Sequence, residues 1–82
     1  MALTELQDWI MRELEARNGM IDGMPARAGV AVDAMEQAID GLSRLKYVSV
    51  VGPPNQNSDL GMDVDELRLM PYGVGYLRTR RR

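Results

Sequence analysis

The chain has 82 residues, of which 45% are hydrophobic and 27% are charged, and its formal net charge is −2. A chain of this length forms one domain around one modest core. The absence of cysteine and histidine excludes disulfide bonds, thiolate metal sites and the common nucleophile–base pairs of enzymes. We therefore expect no catalytic residue, no metal site and no cofactor. The N-terminus lacks the basic and apolar stretches of a signal peptide and no stretch is apolar enough to span a membrane, which predicts a cytoplasmic protein.

The first predicted element is an amphipathic helix from Thr4 to Arg17. Its apolar stripe follows the i, i+3, i+4 spacing and consists of Leu3, Leu6, Ile10 and Leu14. Thr4 and Gln7 have the spacing of a capping box, in which each side chain bonds the backbone of the other. Asn18-Gly19 ends the helix by supplying a left-handed residue. Trp9 lies beside the stripe and is predicted to join the core.

The next segment is predicted to hold a short helix from Asp22 to Gly29, with Pro25 in its first turn. A second long helix follows from Val32 to Leu45. Its apolar side is formed by Met35, Ala38, Ile39, Leu42 and Leu45, and its polar side by Asp33, Glu36, Gln37, Asp40 and Arg44. Gly41 lies inside this helix, where glycine is unfavourable, which indicates a close approach of another element.

The last third of the chain is predicted to contain two antiparallel strands, Tyr47–Val51 and Val64–Met70, joined by the long loop 52–63. Pro71 ends the second strand and opens a short C-terminal helix to about Leu77. Met35 and Met70 are expected in the core, because both fall on apolar stripes. Met24 and Met62 lie in loop-like sequence and are expected to be more exposed.

Three segments in this order resemble the winged-helix family of helix-turn-helix domains found in bacterial transcriptional regulators. They are Ala28-Gly29-Val30 with the helix Val32–Leu45, the junction Leu42–Val48, and the closing segment Leu67–Leu77. The resemblance implies an α+β fold with three helices, a two-stranded antiparallel wing and a short C-terminal helix, all within residues 1–77. Residues 78–82 would form a basic tail. The family function would be binding of double-stranded DNA through the second long helix.

The charge pattern departs from what DNA binding requires. The exposed side of the second long helix is mainly acidic, and the loop 52–63 contains no lysine or arginine, although such residues supply most non-specific affinity for DNA. Residues 1–77 carry a net charge of −6, and four of the ten basic residues fall in the last five positions. If DNA is bound, its contacts must come from Arg27, Gln37, Arg44, Lys46, Arg78, Arg80, Arg81 and Arg82. The alternative is a protein-interaction or dimerisation module that does not bind DNA.

The acidic residues near the long loop form one further candidate site. Asp59, Asp63, Asp65 and Glu66 supply the oxygen ligands that hard cations prefer. They lack the spacing and central glycine of an EF-hand loop. A solvated acidic loop is therefore the simpler interpretation.

Overall fold

The computed structural model describes residues 3–52 and 64–80, with side chains through Thr79. These residues form an α+β fold of three helices and a three-stranded antiparallel sheet with strand order β1-β3-β2. In chain order the elements are α1 (Glu5–Ala16), β1 (Met20–Asp22), α2 (Val32–Arg44), β2 (Val48–Val51), β3 (Glu66–Leu69) and α3 (Pro71–Arg80). Residues 53–63 of the long loop, which include Asp59, Met62 and Asp63, and the terminal Arg81 and Arg82 lie outside the described residues.

Local signals in the sequence set both ends of α1. The Thr4 hydroxyl accepts from the Gln7 amide at 3.1 Å, and the Gln7 side chain accepts from the Thr4 amide at 3.0 Å, which confirms the capping box. Asn18 and Gly19 both have positive φ, 61° and 90°. The Gly19 amide donates to the Leu14 carbonyl at 2.7 Å, so the left-handed turn satisfies the end of the helix.

The sheet lies against the helices with β3 in its centre. Ile21, Leu67 and Val50 face one another across the three strands, and side chains opposite one another share a face of the sheet. This face completes a core built by α1 and α2, whose buried apolar side chains are Ile10, Met11, Leu14, Ile21, Met35, Ala38, Ile39, Leu42, Val48, Leu67 and Leu77. The predicted pairing of the two late strands is therefore confirmed, with slightly shorter strands.

Two predictions for the region between the long helices are wrong. The short helix from Asp22 to Gly29 does not form, and the sheet has three strands because Met20–Asp22 pairs with β3. Pairing with β3 satisfies this backbone, and the Gly23 amide extends it by donating to the Asp65 carbonyl at 2.8 Å. A helix of one and a half turns has no comparable stabilisation of its own. Gly23 and Gly29 instead adopt positive φ, which suits turns.

Three methionines test the predicted core. Met35 is buried, as expected. Met70 is 36% exposed, because the chain turns there from β3 into α3. Met24 is only partly exposed and packs against the core. The predictions for Met70 and Met24 are therefore wrong, since both depended on the local sequence pattern and neither residue lies inside a regular element.

The C-terminal helix extends past its predicted end at Leu77. It continues to Arg80, so Arg78 and Arg80 belong to its last turn. Gly41 behaves as predicted, because a Cβ atom there would lie 2.5 Å from the Gln7 side-chain nitrogen. This contact marks the close approach of α2 to the first turns of α1.

Candidate interaction surfaces

The outward face of α2 is polar and includes Gln37 and Arg44, two of the predicted contact residues. Asp33, Glu36, Gln37 and Asp40 follow the i, i+3, i+4, i+7 spacing and so lie on one side of the helix. The opposite side is buried in the core. We call this set, together with Arg44, the α2 face.

The charged groups of the α2 face are mainly carboxylates, and its arginine is paired with one of them. Arg44 Nε lies 2.9 Å from a carboxylate oxygen of Asp40, one turn earlier. Asp33 and Gln37 are exposed, and Glu36 is partly exposed. Asp33 uses one oxygen to accept from the Ala34 amide at 2.9 Å, as the start of a helix favours. Three carboxylates and one arginine therefore give the α2 face more negative than positive charge.

Arg27, which was predicted to contact a partner, lies against α1. Its guanidinium donates to Glu5 at 2.6 Å and is centred 5.3 Å from the Trp9 ring. The hydrogen bond holds the pKa of Glu5 below its ordinary value and raises that of Arg27. Cation–π stacking on the Trp9 ring is a second attraction between Arg27 and α1. Arg27 thus fastens the loop 23–31 to the first turn of α1.

Lys46 ends α2 in an unusual backbone conformation. Its φ is +63°, a left-handed value that glycine adopts most readily. The Lys46 amide donates to the Ser43 carbonyl and the Tyr47 amide to the Leu42 carbonyl, both at 3.0 Å. These are the two hydrogen bonds of a Schellman motif. The motif positions an exposed lysine at the junction of α2 and β2.

Arg78 lies at the rim of an open groove between α1, β3 and α3. The groove has a volume of about 390 Å³ and is lined by Glu15, Asn18, Gly19, Leu69, Val74, Leu77 and Arg78. Glu15 and Glu5, the partner of Arg27, are ten residues apart on α1, about 15 Å along the helix. Arg27 and Arg78 are therefore at opposite ends of α1, and the structure does not bring them together.

Ion pairing accounts for most of the described basic side chains. Five of the seven are paired, as Arg12–Asp8, Arg17–Glu13, Arg27–Glu5, Arg44–Asp40 and Arg68–Glu66. Among residues 3–52 and 64–79, only Lys46 and Arg78 have no ion pair. Of the predicted contact residues, Arg27 and Arg44 are thus already paired within the chain.

The helix α3 is attached to α1 and β2 by contacts that have no signal in the sequence. The Tyr76 hydroxyl donates to Asp8 at 3.1 Å, and Asp8 is 8% exposed and also binds Arg12 at 3.2 Å. The Tyr76 and Tyr47 rings are 5.5 Å apart. The spacing of Asp8 and Arg12, four residues apart on a predicted helix, indicates an ion pair. That spacing does not indicate that Tyr76 also donates a hydrogen bond to Asp8.

The described residues contain no cluster of His, Cys, Asp or Glu arranged to hold a metal ion. Asp65 is exposed and Glu66 is hydrogen-bonded to Arg68. Within the same part of the chain, no helix is both long and apolar enough to cross a bilayer. No family model, curated protein or solved structure matches this chain.

Proposed function

We propose that this chain is a small protein-binding domain whose α2 face recognises a basic surface on its partner. The observation that carries the proposal is the composition of that face. It combines three carboxylates with one arginine, and Asp40 already binds that arginine. Charge-assisted hydrogen bonds to arginine or lysine are the strongest interactions open to such a surface.

The same composition argues against docking α2 in the major groove. Double-stranded DNA carries one negative charge for about every 1.7 Å of its length. The exposed Asp33 and partly exposed Glu36 would be placed among those phosphates. Like charges in that position reduce affinity, whereas the same carboxylates attract a basic protein.

The winged-helix resemblance enters the proposal as its scaffold. In its favour, α2 leads through the Lys46 turn into β2, which pairs with β3, and a helix follows. Against its helix-turn-helix part, the segment 23–31 contains no helix. A family function of DNA binding and transcription regulation therefore has less support than the scaffold itself.

Binding of double-stranded DNA is the competing proposal. In its favour, Lys46 and Arg78 have no ion pair among residues 3–52 and 64–79, and three more arginines follow in the sequence. Phosphate contacts by these side chains would make affinity fall steeply with salt. The site of contact, at Lys46 and α3 for DNA and on the α2 face for a basic protein, separates the two proposals.

The test is a pair of NMR titrations of the ¹⁵N-labelled full chain. One uses an octa-arginine peptide, and the other a 20-base-pair DNA duplex of random sequence, both at low and at physiological salt. We expect the peptide to shift amide signals of α2 between Asp33 and Arg44 and the duplex to leave the spectrum unchanged. Shifts with the duplex at Lys46 and α3, lost as salt rises, would support DNA binding instead.

A matched pair of variants locates the binding surface. Asp33→Asn/Glu36→Gln removes two charges from the α2 face, and Asp22→Asn/Asp65→Asn removes two charges from exposed positions at one end of the sheet. We expect the first variant to weaken peptide binding on the order of tenfold and the second to have little effect. Equal losses in the two variants would mean that the peptide responds only to net charge, and would contradict the proposal.

A further inference from the structure

We propose that Asn18-Gly19, at the end of α1, is a site of covalent self-modification that the folded chain protects and unfolding exposes. The reaction is deamidation, in which Asn18 becomes aspartate or isoaspartate without an enzyme and with water as the only co-reactant. This inference goes beyond the proposed function, because it does not depend on what the α2 face binds.

The sequence supplies both reacting groups. An asparagine followed by glycine deamidates readily, because glycine has no side chain to hinder its backbone nitrogen. The Gly19 nitrogen loses its proton and attacks Cγ of Asn18. A C–N bond forms, the Cγ–Nδ2 bond breaks, and ammonia leaves a five-membered succinimide. Water then opens the ring, at Cγ to give aspartate or at the main-chain carbonyl to give isoaspartate, in which the main chain runs through Cβ and Cγ.

The first protection is the hydrogen bond made by the attacking nitrogen. The Gly19 amide donates to the Leu14 carbonyl at 2.7 Å, so the proton that must leave is held within the turn that ends α1. The left-handed conformation of Asn18, with a φ of 61°, belongs to the same turn. Asn18 is exposed, but attack on its side chain requires this turn to open.

The second protection is the attachment of Gly19 to the sheet. Its carbonyl accepts from the Leu69 amide at 2.7 Å, and a Cβ atom at Gly19 would lie 3.6 Å from Leu69 Cβ. Met20, the next residue, begins β1, which pairs with the central strand β3. The Gly19 backbone is therefore bonded to α1 on one side and to β3 on the other. It is released for attack only when α1 and β3 separate, which couples the reaction to unfolding.

Unfolding removes both hydrogen bonds and allows Asn18 to react. The aspartate product keeps the length of the main chain, and aspartate tolerates the left-handed conformation. The isoaspartate product lengthens the main chain between Asn18 and Gly19, so the Gly19 amide and carbonyl no longer reach Leu14 and Leu69 together. A chain that has spent time unfolded therefore acquires a form that refolds with lower stability.

The first test follows deamidation of the full chain at neutral pH by peptide mapping and mass spectrometry, in native buffer and in guanidinium chloride. We expect Asn18 to react at least about tenfold more slowly in the folded chain, because the rate follows the fraction of molecules in which the site is open. A smaller difference, or no reaction of Asn18 in the unfolded chain, would overturn the inference.

A matched pair of variants in α2 tests the coupling to unfolding without altering the site. Leu42 is fully buried, whereas Val32 is 68% exposed. Leu42→Ala should speed the reaction of Asn18 in native buffer at least about tenfold, because a core cavity raises the unfolded fraction, and Val32→Ala should leave the rate unchanged. Ile39→Val is a milder core change for which a smaller increase is expected. Core variants that are less stable but react at the original rate would refute the coupling.

The two products test the attachment of Gly19. Chromatography separates the isoaspartyl chain from the aspartyl chain, and Asn18→Asp supplies the aspartyl reference. Both isomers carry the same charge, so a difference between their denaturant midpoints reports the change in the main chain alone. We expect the isoaspartyl chain to have the lower midpoint. Equal midpoints would show that Gly19 is not held between α1 and β3, and would overturn the inference.

Discussion

The helices α2 and α3 reach the same secondary structure by different means. α2 buries one regular side, with Met35, Ile39 and Leu42 at 2% exposure or less. α3 has no comparable stripe, and among its residues 71–79 only Gly73 and Leu77 are buried. The comparison teaches that periodic burial is one source of helix stability and individual contacts are another.

Contacts at particular positions replace periodicity in α3. Pro71 occupies the first helical position, where its missing amide costs nothing. Gly73 allows the helix to lie on the Tyr47 carbonyl and the side chain of Met11. Tyr76 then binds Asp8 of α1. A helix held in this way should respond to very small side-chain changes at a few positions.

The largest expected effect tests the stripe of α2. Leu42 is fully buried, so Leu42→Ala should lower the free energy of unfolding by about 3 kcal/mol through lost burial and a cavity. Val32→Ala is the control, since Val32 is in the same helix and 68% exposed, and it should change stability by less than about 0.5 kcal/mol. Urea unfolding followed by circular dichroism measures both. Similar losses would mean that burial does not stabilise α2.

The next effect concerns two glycines in α3. A Cβ atom at Gly73 would collide with the Tyr47 carbonyl and lie 2.9 Å from Met11 Cε, whereas one at Gly75 would meet nothing within 4 Å. Gly73→Ala should destabilise the fold by about 2 kcal/mol, and Gly75→Ala should stabilise it by about 0.8 kcal/mol through helix propensity. Thermal unfolding compares them. Effects of the same sign would refute the close packing of α3.

A smaller effect isolates the hydrogen bond between α3 and α1. Tyr76→Phe keeps the ring against Tyr47 and removes the hydroxyl that binds Asp8, so it should cost about 1 kcal/mol. Tyr72→Phe makes the same chemical change at a residue that is 67% exposed and should be neutral. Denaturant midpoints of the two variants are the measurement. Unchanged midpoints in both variants would show that the hydrogen bond from Tyr76 to Asp8 does not stabilise the fold.

The smallest effect is the pH dependence of the contact between Arg27 and Glu5. Hydrogen bonding to Arg27 lowers the pKa of Glu5 from its ordinary value of 4.5. A lowered pKa stabilises the fold above the unfolded value, and this contribution disappears as the pH falls through the folded value. The stability of Glu5→Gln should therefore approach that of the unmodified chain as the pH falls below 4.5 and through the lowered pKa of Glu5 in the folded chain. A constant difference from pH 7 to pH 3 would contradict this linkage.

The parts of the fold with a strong local signal were predictable from the sequence. α1, α2 and the pairing of β2 with β3 follow from apolar spacing, the capping box and the alternation of strand residues. β1 was not predictable, because three residues cannot show alternation and their pairing depends on β3, more than forty residues later. The wrong prediction of a helix after β1 has the same cause, because no local pattern reveals that this part of the chain pairs with β3.

The candidate site shows the same division. The acidic α2 face follows directly from helical spacing, and the structure places its residues as expected. The engagement of Arg27 with Glu5 and Trp9 joins residues distant in sequence and has no local signal. Pairing of Arg44 with Asp40 was visible as an i, i+4 spacing, yet the sequence analysis treated Arg44 as available for binding.

The central position of β3 has a consequence for folding during synthesis. β1 and β2 are made first, but they do not pair with each other, and both pair with β3. A nascent chain that ends before residue 66 therefore has two strands without partners, and Ile21 and Val50 lack the neighbour that covers them. The strand β3 completes the sheet for both, so cooperative folding must wait until β3 has been synthesised.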